Sequence, residues 1–179
     1  MKREEFIKAS SALGLGLFAT PHFSKTMSSE GHSKLDPMIV RATEGLVQNV
    51  IGDIQTVKLT GKDTNGQFTL IEEENIPGTM IPPHVHSNED EVFKVLEGEM
   101  ELTVGDRTTI LKAGDLALGP RGVPHSWKII GDKNAKVILS VFPAGIELMF
   151  EELGQLPPGP PDFPTVEAIC GRYGIVFLK

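Results

Sequence analysis

The sequence predicts an all-β fold of the sandwich or barrel type, followed by two short helices near the C-terminus. Three observations predict this class. Short apolar runs rich in β-branched residues follow one another closely up to about residue 144. Turn signals such as Gly105-Asp106 and Gly114-Asp115 separate the runs, and no segment of helix length lies between them. Many short strands with turns of this kind are typical of antiparallel sandwiches and barrels.

The predicted strands lie in the segments IQTVKLT, QFTLIEEE, EVFKVLEG, EMELTVGD, RTTILKAGD, SWKII and AKVILSVF. Alternation is clearest in the fourth segment, where Met100, Leu102 and Val104 share one face. Beyond residue 145, GIELMFEELGQL and TVEAICGRYG predict two short helices on either side of the proline-rich connector PPGPPDFP. The chain then closes on IVFLK, which is a strand or an extended tail.

We divide the chain into four segments. Residues 1–20 resemble an export signal, because the charged start MKREEFIK precedes the small and apolar run ASSALGLGLFAT. Within it, REEFIK is similar to the twin-arginine pattern R-R-x-F-L-K, with Glu4 in place of the second arginine. We expect a linker over residues 21–36, the β-domain over 37–145, and a helical extension with the proline-rich connector over 146–179.

The N-terminal segment decides the expected location of the protein. A working leader predicts export to the periplasm or the extracellular space, whereas an amphipathic segment that stays on the chain predicts a cytoplasmic protein. The apolar run is shorter than the roughly 18 residues that a spanning helix needs. We therefore expect no stable membrane anchor.

Composition and charge restrict the classes of partner. Of 179 residues, 40% are hydrophobic and 23% are charged, which suits one soluble domain with one core. The net charge of −7, without a local basic patch, argues against nucleic acid as a partner and favours a small-molecule ligand. The single cysteine, Cys170, excludes an intrachain disulfide and is expected to fill space near the C-terminus.

Two histidines one residue apart begin a candidate metal site. In a strand, His84 and His86 point to the same side, because successive side chains alternate. Glu91 follows after a short turn, at the start of a strand in which Phe93 lies on the same face. A carboxylate on an otherwise apolar inward face is costly unless it is paired or bound to a metal. Glu89 is the rival carboxylate, but it lies inside the tight turn.

A third histidine, His125, opens a later strand with Trp127 and Ile129 on its face. Three neutral imidazoles and one carboxylate suit one divalent transition metal, which is iron, manganese, nickel, copper or cobalt. The alternative is that the histidines are ordinary core or surface residues and that Glu91 is one of the solvated acids of NEDE. Phe93 and Trp127 fit a flat pocket for an aromatic substrate, or simple core packing.

Both histidine segments resemble the sequence motifs of the cupin superfamily. The first motif, G-x5-H-x-H-x3-4-E-x6-G, is matched at every position, and the second, G-x5-P-x-G-x2-H-x3-N, is matched except that Ile129 replaces the asparagine. The resemblance covers roughly residues 37–144. It implies a small antiparallel β-barrel of the jelly-roll type, a homodimer, and a metal held by four residues: His84, His86, Glu91 and His125.

The order of elements is also similar to that of small bacterial monocupins described as quercetin 2,3-dioxygenase-like. This resemblance implies an oxidoreductase acting on a flavonol or another enolisable aromatic compound, with Glu91 as both metal ligand and catalytic base. Two alternatives stay open at this point. One is another metal-dependent cupin enzyme, a decarboxylase or isomerase, for which more arginines or lysines would be expected near the metal. The other is a non-catalytic cupin that binds a small molecule.

Overall fold

The computed structural model describes residues 35–157, 159 and 162–178. The predicted export signal and nearly all of the predicted linker therefore lie outside the described residues. Within the described part, eleven strands and two helices follow one another. They are β1 Leu46–Val50, β2 Asp53–Leu59, β3 Thr69–Asn75, β4 Met80–His86, β5 Asp90–Glu97, β6 Glu99–Val104, β7 Arg107–Lys112, β8 Leu116–Gly119, β9 His125–Ile130, β10 Ala135–Phe142, α1 Ile146–Gly154, α2 Phe163–Arg172 and β11 Ile175–Phe177.

The strands form two antiparallel sheets. One sheet has six strands in the order β1-β2-β3-β10-β5-β8, and the other has five in the order β11-β4-β9-β6-β7. Neighbours such as β3 and β10, or β4 and β9, are far apart in sequence, which is the crossing pattern of a jelly roll. The predicted all-β fold of the jelly-roll type is confirmed.

The core lies between the two sheets and follows the alternation of the strands. Phe93 and Val95 of β5 come from one sheet, and Met100 and Leu102 of β6 come from the other. All four side chains are buried in a single hydrophobic cluster. Intervening residues such as Glu101 are exposed. The two-residue period of each strand therefore sets which side chains fill the core.

Two edge strands do not appear among the predicted segments. They are β1 and β8, which lie at opposite ends of the six-stranded sheet. Leu46 and Val47 in β1 are 57% and 68% exposed, and Leu116 and Leu118 in β8 are exposed as well. An edge strand has one neighbour and only partial cover, so its sequence carries a weak alternation signal. The length of β8, four residues, weakens the signal further.

The C-terminal segment covers one part of this core. Ile146, Met149 and Leu153 form the buried side of α1, which packs against β1 and α2. Cys170 lies on the buried side of α2, as expected for an apolar filler. After α2 the chain forms β11, which pairs with β4, so the C-terminal segment contributes a strand to the five-stranded sheet. No helix in the described residues is long and apolar enough to cross a bilayer.

Candidate metal centre

Three neighbouring strand ends bring the predicted metal ligands together. His84 and His86 lie at the end of β4, Glu91 near the start of β5, and His125 at the start of β9. One ligand atom from each residue lies within 4.8 Å of those of the other three, and all four residues are buried. The geometry therefore allows a single ion to be held by the whole group.

The sheet topology explains why these side chains meet. Strands β4 and β9 are neighbours, and His84 pairs directly with His125, with their ring centroids 4.3 Å apart. Strand β5 belongs to the other sheet, but only three residues separate it from the end of β4. Glu91 thus enters the cluster from the opposite side of the core.

Backbone carbonyl groups orient two of the imidazole rings. Nδ1 of His84 lies 2.9 Å from the carbonyl oxygen of Pro82, and Nδ1 of His125 lies 3.2 Å from that of Val123. Because a carbonyl oxygen only accepts hydrogen bonds, each Nδ1 carries the proton and donates it. The Nε2 lone pair of His84 is then free to bind a metal. Nε2 of His125 lies 2.8 Å from Oε2 of Glu91, and it would have to lose the proton of this hydrogen bond in order to bind a metal.

The third ring, His86, has a carboxylate behind it instead of a carbonyl group. Its Nδ1 atom lies 3.4 Å from Oε2 of Glu89. Both atoms are buried, and neither makes a hydrogen bond within the described chain. A small rotation that shortens this contact would place a proton between them and leave Nε2 of His86 for the metal. Glu89 is 7% exposed. It is not one of the four clustered ligands, and its carboxylate faces Nδ1 of His86.

The charges of His84 and Glu91 suit a metal. Burial, together with the neighbouring His125, lowers the pKa of His84 to about 4, so this ring is neutral at physiological pH. Burial alone would raise the pKa of Glu91, but the hydrogen bond from Nε2 of His125 at 2.8 Å and the other two rings lower it overall. Burial lowers the pKa of His125, but the hydrogen bond to Glu91 and the charge of this carboxylate outweigh it and raise the pKa overall, so a metal would compete with a proton at this ring. Metal binding requires neutral imidazoles and an ionised carboxylate. The donor set fits a divalent transition metal.

A cavity of about 310 Å³ opens beside this cluster. His84, His86 and Glu91 form part of its wall, and both sheets and both helices contribute the remainder. Its volume is that of a small-molecule pocket. Much of the wall is apolar or aromatic, and includes Trp127, Leu139, Met149, Phe150, Phe163 and Phe177.

The two aromatic residues that we expected in the pocket have different positions. Trp127 lines the cavity, since it follows His125 on the inward face of β9. Phe93 is fully buried in the core, with its ring centroid 6.1 Å from that of His125, and it is not among the lining residues. Phe93 thus supports the cluster from within the core, whereas Trp127 faces the space where a ligand would lie.

A buried polar group on β2 and β3 was missed by the sequence analysis. Asp53, Gln55 and Glu73 all line the cavity. The segment QFTLIEEE was predicted as a strand, but no role was assigned to its three glutamates. The alternation of the strand could have predicted an inward position for Glu73, since Glu73 lies two residues after the buried Ile71 and so shares its face. Within the described chain, no lysine or arginine lines the cavity.

Comparisons with known proteins agree with this architecture. Residues 72–142 match the family described as Cupin domain. A quercetin 2,3-dioxygenase from Bacillus subtilis is 32% identical over 93 residues, which cover 52% of this chain and 28% of that protein. A germin-like protein, subfamily 2 member 1, from Arabidopsis thaliana is 35% identical over 133 residues, which cover 66% of this chain and 59% of that protein. The chain thus spans between about a quarter and three-fifths of the length of these two relatives.

A solved structure shows the same arrangement of strands. The crystal structure of an RmlC-like cupin from Shewanella frigidimarina matches with a TM-score of 0.55 at 18% identity, over 63% of this chain and 96% of that one. The matched family segment contains Glu91, His125 and both histidines of β4. From its strand topology, its motifs and these matches, the chain belongs to the cupin superfamily.

Proposed function

We propose that this cupin is a metal-dependent dioxygenase of the quercetin 2,3-dioxygenase-like type, acting on a flavonol or another enolisable aromatic compound. The observation that carries the proposal is the position of Glu91. It is a buried carboxylate, it belongs to the histidine cluster, and it faces a largely apolar cavity. A base held at this place can take a proton from a ligand that lies in the cavity.

The cavity wall favours a neutral, flat substrate. Trp127, Phe163 and Phe177 offer aromatic surface, and within the described residues no lysine or arginine lines the cavity. A dicarboxylate or a sugar phosphate would find no positive countercharge there apart from the metal. This observation favours an aromatic substrate over the substrates of a decarboxylase or an isomerase.

Each ligand residue has a defined role in the proposed reaction. His84, His86 and His125 would hold the metal together with Glu91. A divalent transition metal supplies, when bound, positive charge that favours the enolate form of a substrate and redox chemistry with dioxygen. The Glu91 carboxylate accepts the proton of the 3-hydroxyl group as the enolate forms. Overall, one dioxygen is consumed for each flavonol, both of its oxygen atoms enter the opened product, and one ring carbon leaves as carbon monoxide.

The relative from Bacillus subtilis supports the proposal, because it has the name quercetin 2,3-dioxygenase and its match includes about half of this chain. The support is partial, since the matched segment is 28% of that protein. The activity therefore has to be measured on this chain.

Glu91→Gln tests the proposed base. The amide cannot take the proton, but the three imidazoles remain, so the variant should keep part of its metal while turnover falls by roughly 10²-fold or more. Oxygen uptake and carbon monoxide release with quercetin measure turnover, and elemental analysis measures the metal. Glu101→Gln, on the exposed face of β6, is the matched control and should behave as the parent does.

Substrate binding is measured separately from turnover. Anaerobic addition of quercetin to the metal-replete protein should shift the absorption spectrum of the flavonol, and oxygen should then start its breakdown. A spectral shift without oxygen uptake would indicate a non-catalytic binding protein. Neither a shift nor oxygen uptake with any enolisable aromatic compound would contradict the dioxygenase proposal.

A further inference from the structure

Glu73 occupies an unusual position on the wall of the cavity. It lies in the middle of β3, between Gln55 of β2 and Val137 of β10. Glu73 is only 3% exposed. Its side chain nevertheless lines the same cavity as Glu91. A carboxyl group in such a place loses nearly all contact with bulk water.

The polar neighbours of Glu73 have partners among themselves. Asn75 donates from Nδ2 to Oδ1 of Asp53 at 2.5 Å, and Gln55 donates from Nε2 to Oδ2 of Asp53 at 2.7 Å. Gln48 in turn donates from Nε2 to Oε1 of Gln55 at 3.2 Å. Each of these buried groups is therefore satisfied within the protein.

The carboxyl group of Glu73 has no such partner. Burial and the negative charges of Asp53 and Glu91 act on it, and the side-chain hydrogen bonds found around it among the described residues join Asp53, Gln55 and Asn75 and not Glu73. The buried side-chain atoms without a partner in the described chain are Nδ1 of His86 and Oε2 of Glu89, so the oxygen atoms of Glu73 are open to the cavity. Because the carboxyl group faces the cavity, a bound molecule can complete its hydrogen bonding.

The sheet register places Glu73 and Glu91 at different positions along β10. Glu73 pairs with Val137 of β10, whereas Glu91 pairs with Val141 on the other side of the same strand. The two pairing positions on β10 are four residues, or about 13 Å, apart along the backbone. Both side chains line the same cavity, and the charge of Glu91 still acts on Glu73. A single molecule that reaches both carboxyl groups must therefore carry polar groups at two separate positions.

We propose that Glu73 hydrogen-bonds a hydroxyl group of the substrate other than the one at the metal, and so selects polyhydroxylated aromatic compounds. The inference rests on the proposed function and specifies its substrate class. A carboxyl group accepts a hydrogen bond from a hydroxyl group in either protonation state. Burial, supported by Asp53 and Glu91, raises the pKa of Glu73 well above its usual range, so the neutral acid can also donate. A neutral acid suits a phenol better than a cationic amine.

The test compares two flavonols that share the 3-hydroxyl group and differ in their other hydroxyl groups. Quercetin carries hydroxyl groups on both ends of the molecule, whereas 3-hydroxyflavone carries only the group expected at the metal. The full chain is loaded with metal and titrated without oxygen. Trp127 is the single tryptophan and lines the cavity, so quenching of its fluorescence reports binding.

Glu73→Met removes the carboxyl group and keeps an unbranched side chain of similar length. We expect quercetin to bind this variant about tenfold more weakly than it binds the parent, the scale of one lost hydrogen bond. The affinity for 3-hydroxyflavone should be unchanged or slightly higher. Glu73→Gln, which still accepts a hydrogen bond, should retain most of the affinity for quercetin.

Glu74→Met, the next residue on the exposed face of β3, should bind both flavonols as the parent does. Equal weakening of both flavonols by Glu73→Met would indicate a structural role and overturn the inference, as would no weakening of either. If Glu73→Met does not fold, the inference requires two other results. The parent should bind quercetin about tenfold more tightly than 3-hydroxyflavone, and Glu73→Gln should keep this preference. The absence of either result would overturn the inference.

The same titrations separate this inference from the proposed function. Oxygen consumption by a parent that does not discriminate between the two flavonols would overturn the role of Glu73 and leave the dioxygenase proposal intact. Discrimination that depends on Glu73, without any oxygen uptake, would support the binding role and contradict the proposed activity. If neither flavonol binds the metal-replete parent, both proposals fail.

Discussion

His86 differs from the other two histidines of the cluster in the group that holds its Nδ1 atom. His84 and His125 donate to backbone carbonyl groups, whose positions the strands determine. His86 depends on a side chain, since its Nδ1 atom faces the carboxylate of Glu89 at 3.4 Å. A carboxylate behind a metal-binding histidine orients the ring and makes it a stronger ligand. We therefore predict that Glu89 positions the ring of His86 for metal binding.

Replacing Glu89 tests this role at the scale of one residue. Glu89→Ala removes the carboxylate that faces Nδ1 of His86 and could accept its proton when a metal is bound, so we expect the affinity for Co²⁺ or Zn²⁺ to fall by about 10- to 100-fold. Glu89→Gln should fall less, because its amide oxygen still accepts a hydrogen bond. A competition titration against a chelator measures both variants. Glu101→Ala, with an exposed side chain on β6, is the control, and an affinity of Glu89→Ala equal to that control would refute the role.

The turn between β5 and β6 contains a glycine that packs closely against the start of β10. Gly98, the closing glycine of the first motif, has a φ of +75°. A Cβ atom at this position would lie 2.5 Å from the carbonyl oxygen of Asn134 and 2.6 Å from Cα of Ala135. These atoms are backbone at the start of β10, the strand that lies between β3 and β5. The glycine is thus required by its dihedral angle and by close packing.

Gly98→Ala and Gly114→Ala separate these two effects. Gly114 also has a positive φ, +99°, but a Cβ atom there would contact nothing within 4 Å. We expect Gly114→Ala to destabilise the protein by about 1–2 kcal/mol, the conformational effect alone. Gly98→Ala should destabilise it by clearly more, about 3 kcal/mol or above, because the backbone of β10 must also move. Urea denaturation measures both, and equal losses of stability would show that packing at Gly98 contributes nothing.

The last strand connects the C-terminal segment to the metal site. Ile175 and Phe177 of β11 pair with His86 and His84 of β4, and both also line the cavity. The ring of Phe177 lies 5.8 Å from that of His84 and 5.4 Å from that of Phe163, measured between centroids. This strand therefore covers the edge of β4 that the two histidines occupy. It also joins the helices to the wall of the pocket.

At the scale of the whole molecule, the four predicted metal ligands come from both sheets. Three of its ligands belong to the five-stranded sheet, and Glu91 belongs to the six-stranded sheet. An ion bound by all four would therefore hold the two layers together. The homodimer expected from the family resemblance stays a prediction. So does the export signal, which lies outside the described residues.

Metal removal tests this connection. A ligand that binds only the folded state at 100 times its Kd adds about 2.7 kcal/mol of stability. For a chain of this size, the melting temperature should then fall by about 5–10 °C when a chelator removes the metal. Calorimetry of the loaded and the stripped protein measures the change. The double variant His84→Ala and His125→Ala should show no such difference, and a chelator effect of the same size in that variant would contradict the assignment of the ligands.

The sequence by itself determined the parts of the site that depend on local strand geometry. The shared face of His84 and His86, and the inward positions of Glu91 and His125, follow from the two-residue period of a strand. The motif spacing then connected these residues to one metal site. Because both signals extend over only a few residues, they could be found before any tertiary contact was known.

The tertiary structure alone decided which other side chains face the cluster. Glu89 turns behind His86, Phe93 lies in the core beside His125, and Glu73 faces the cavity from a run of three glutamates. Strand β11 and the two helices belong to the C-terminal segment, and they form part of the pocket wall. Each of these positions depends on the pairing of strands or helices that are distant in sequence. A local pattern of residues contains no information about such pairing, which is set by the packing of the whole core.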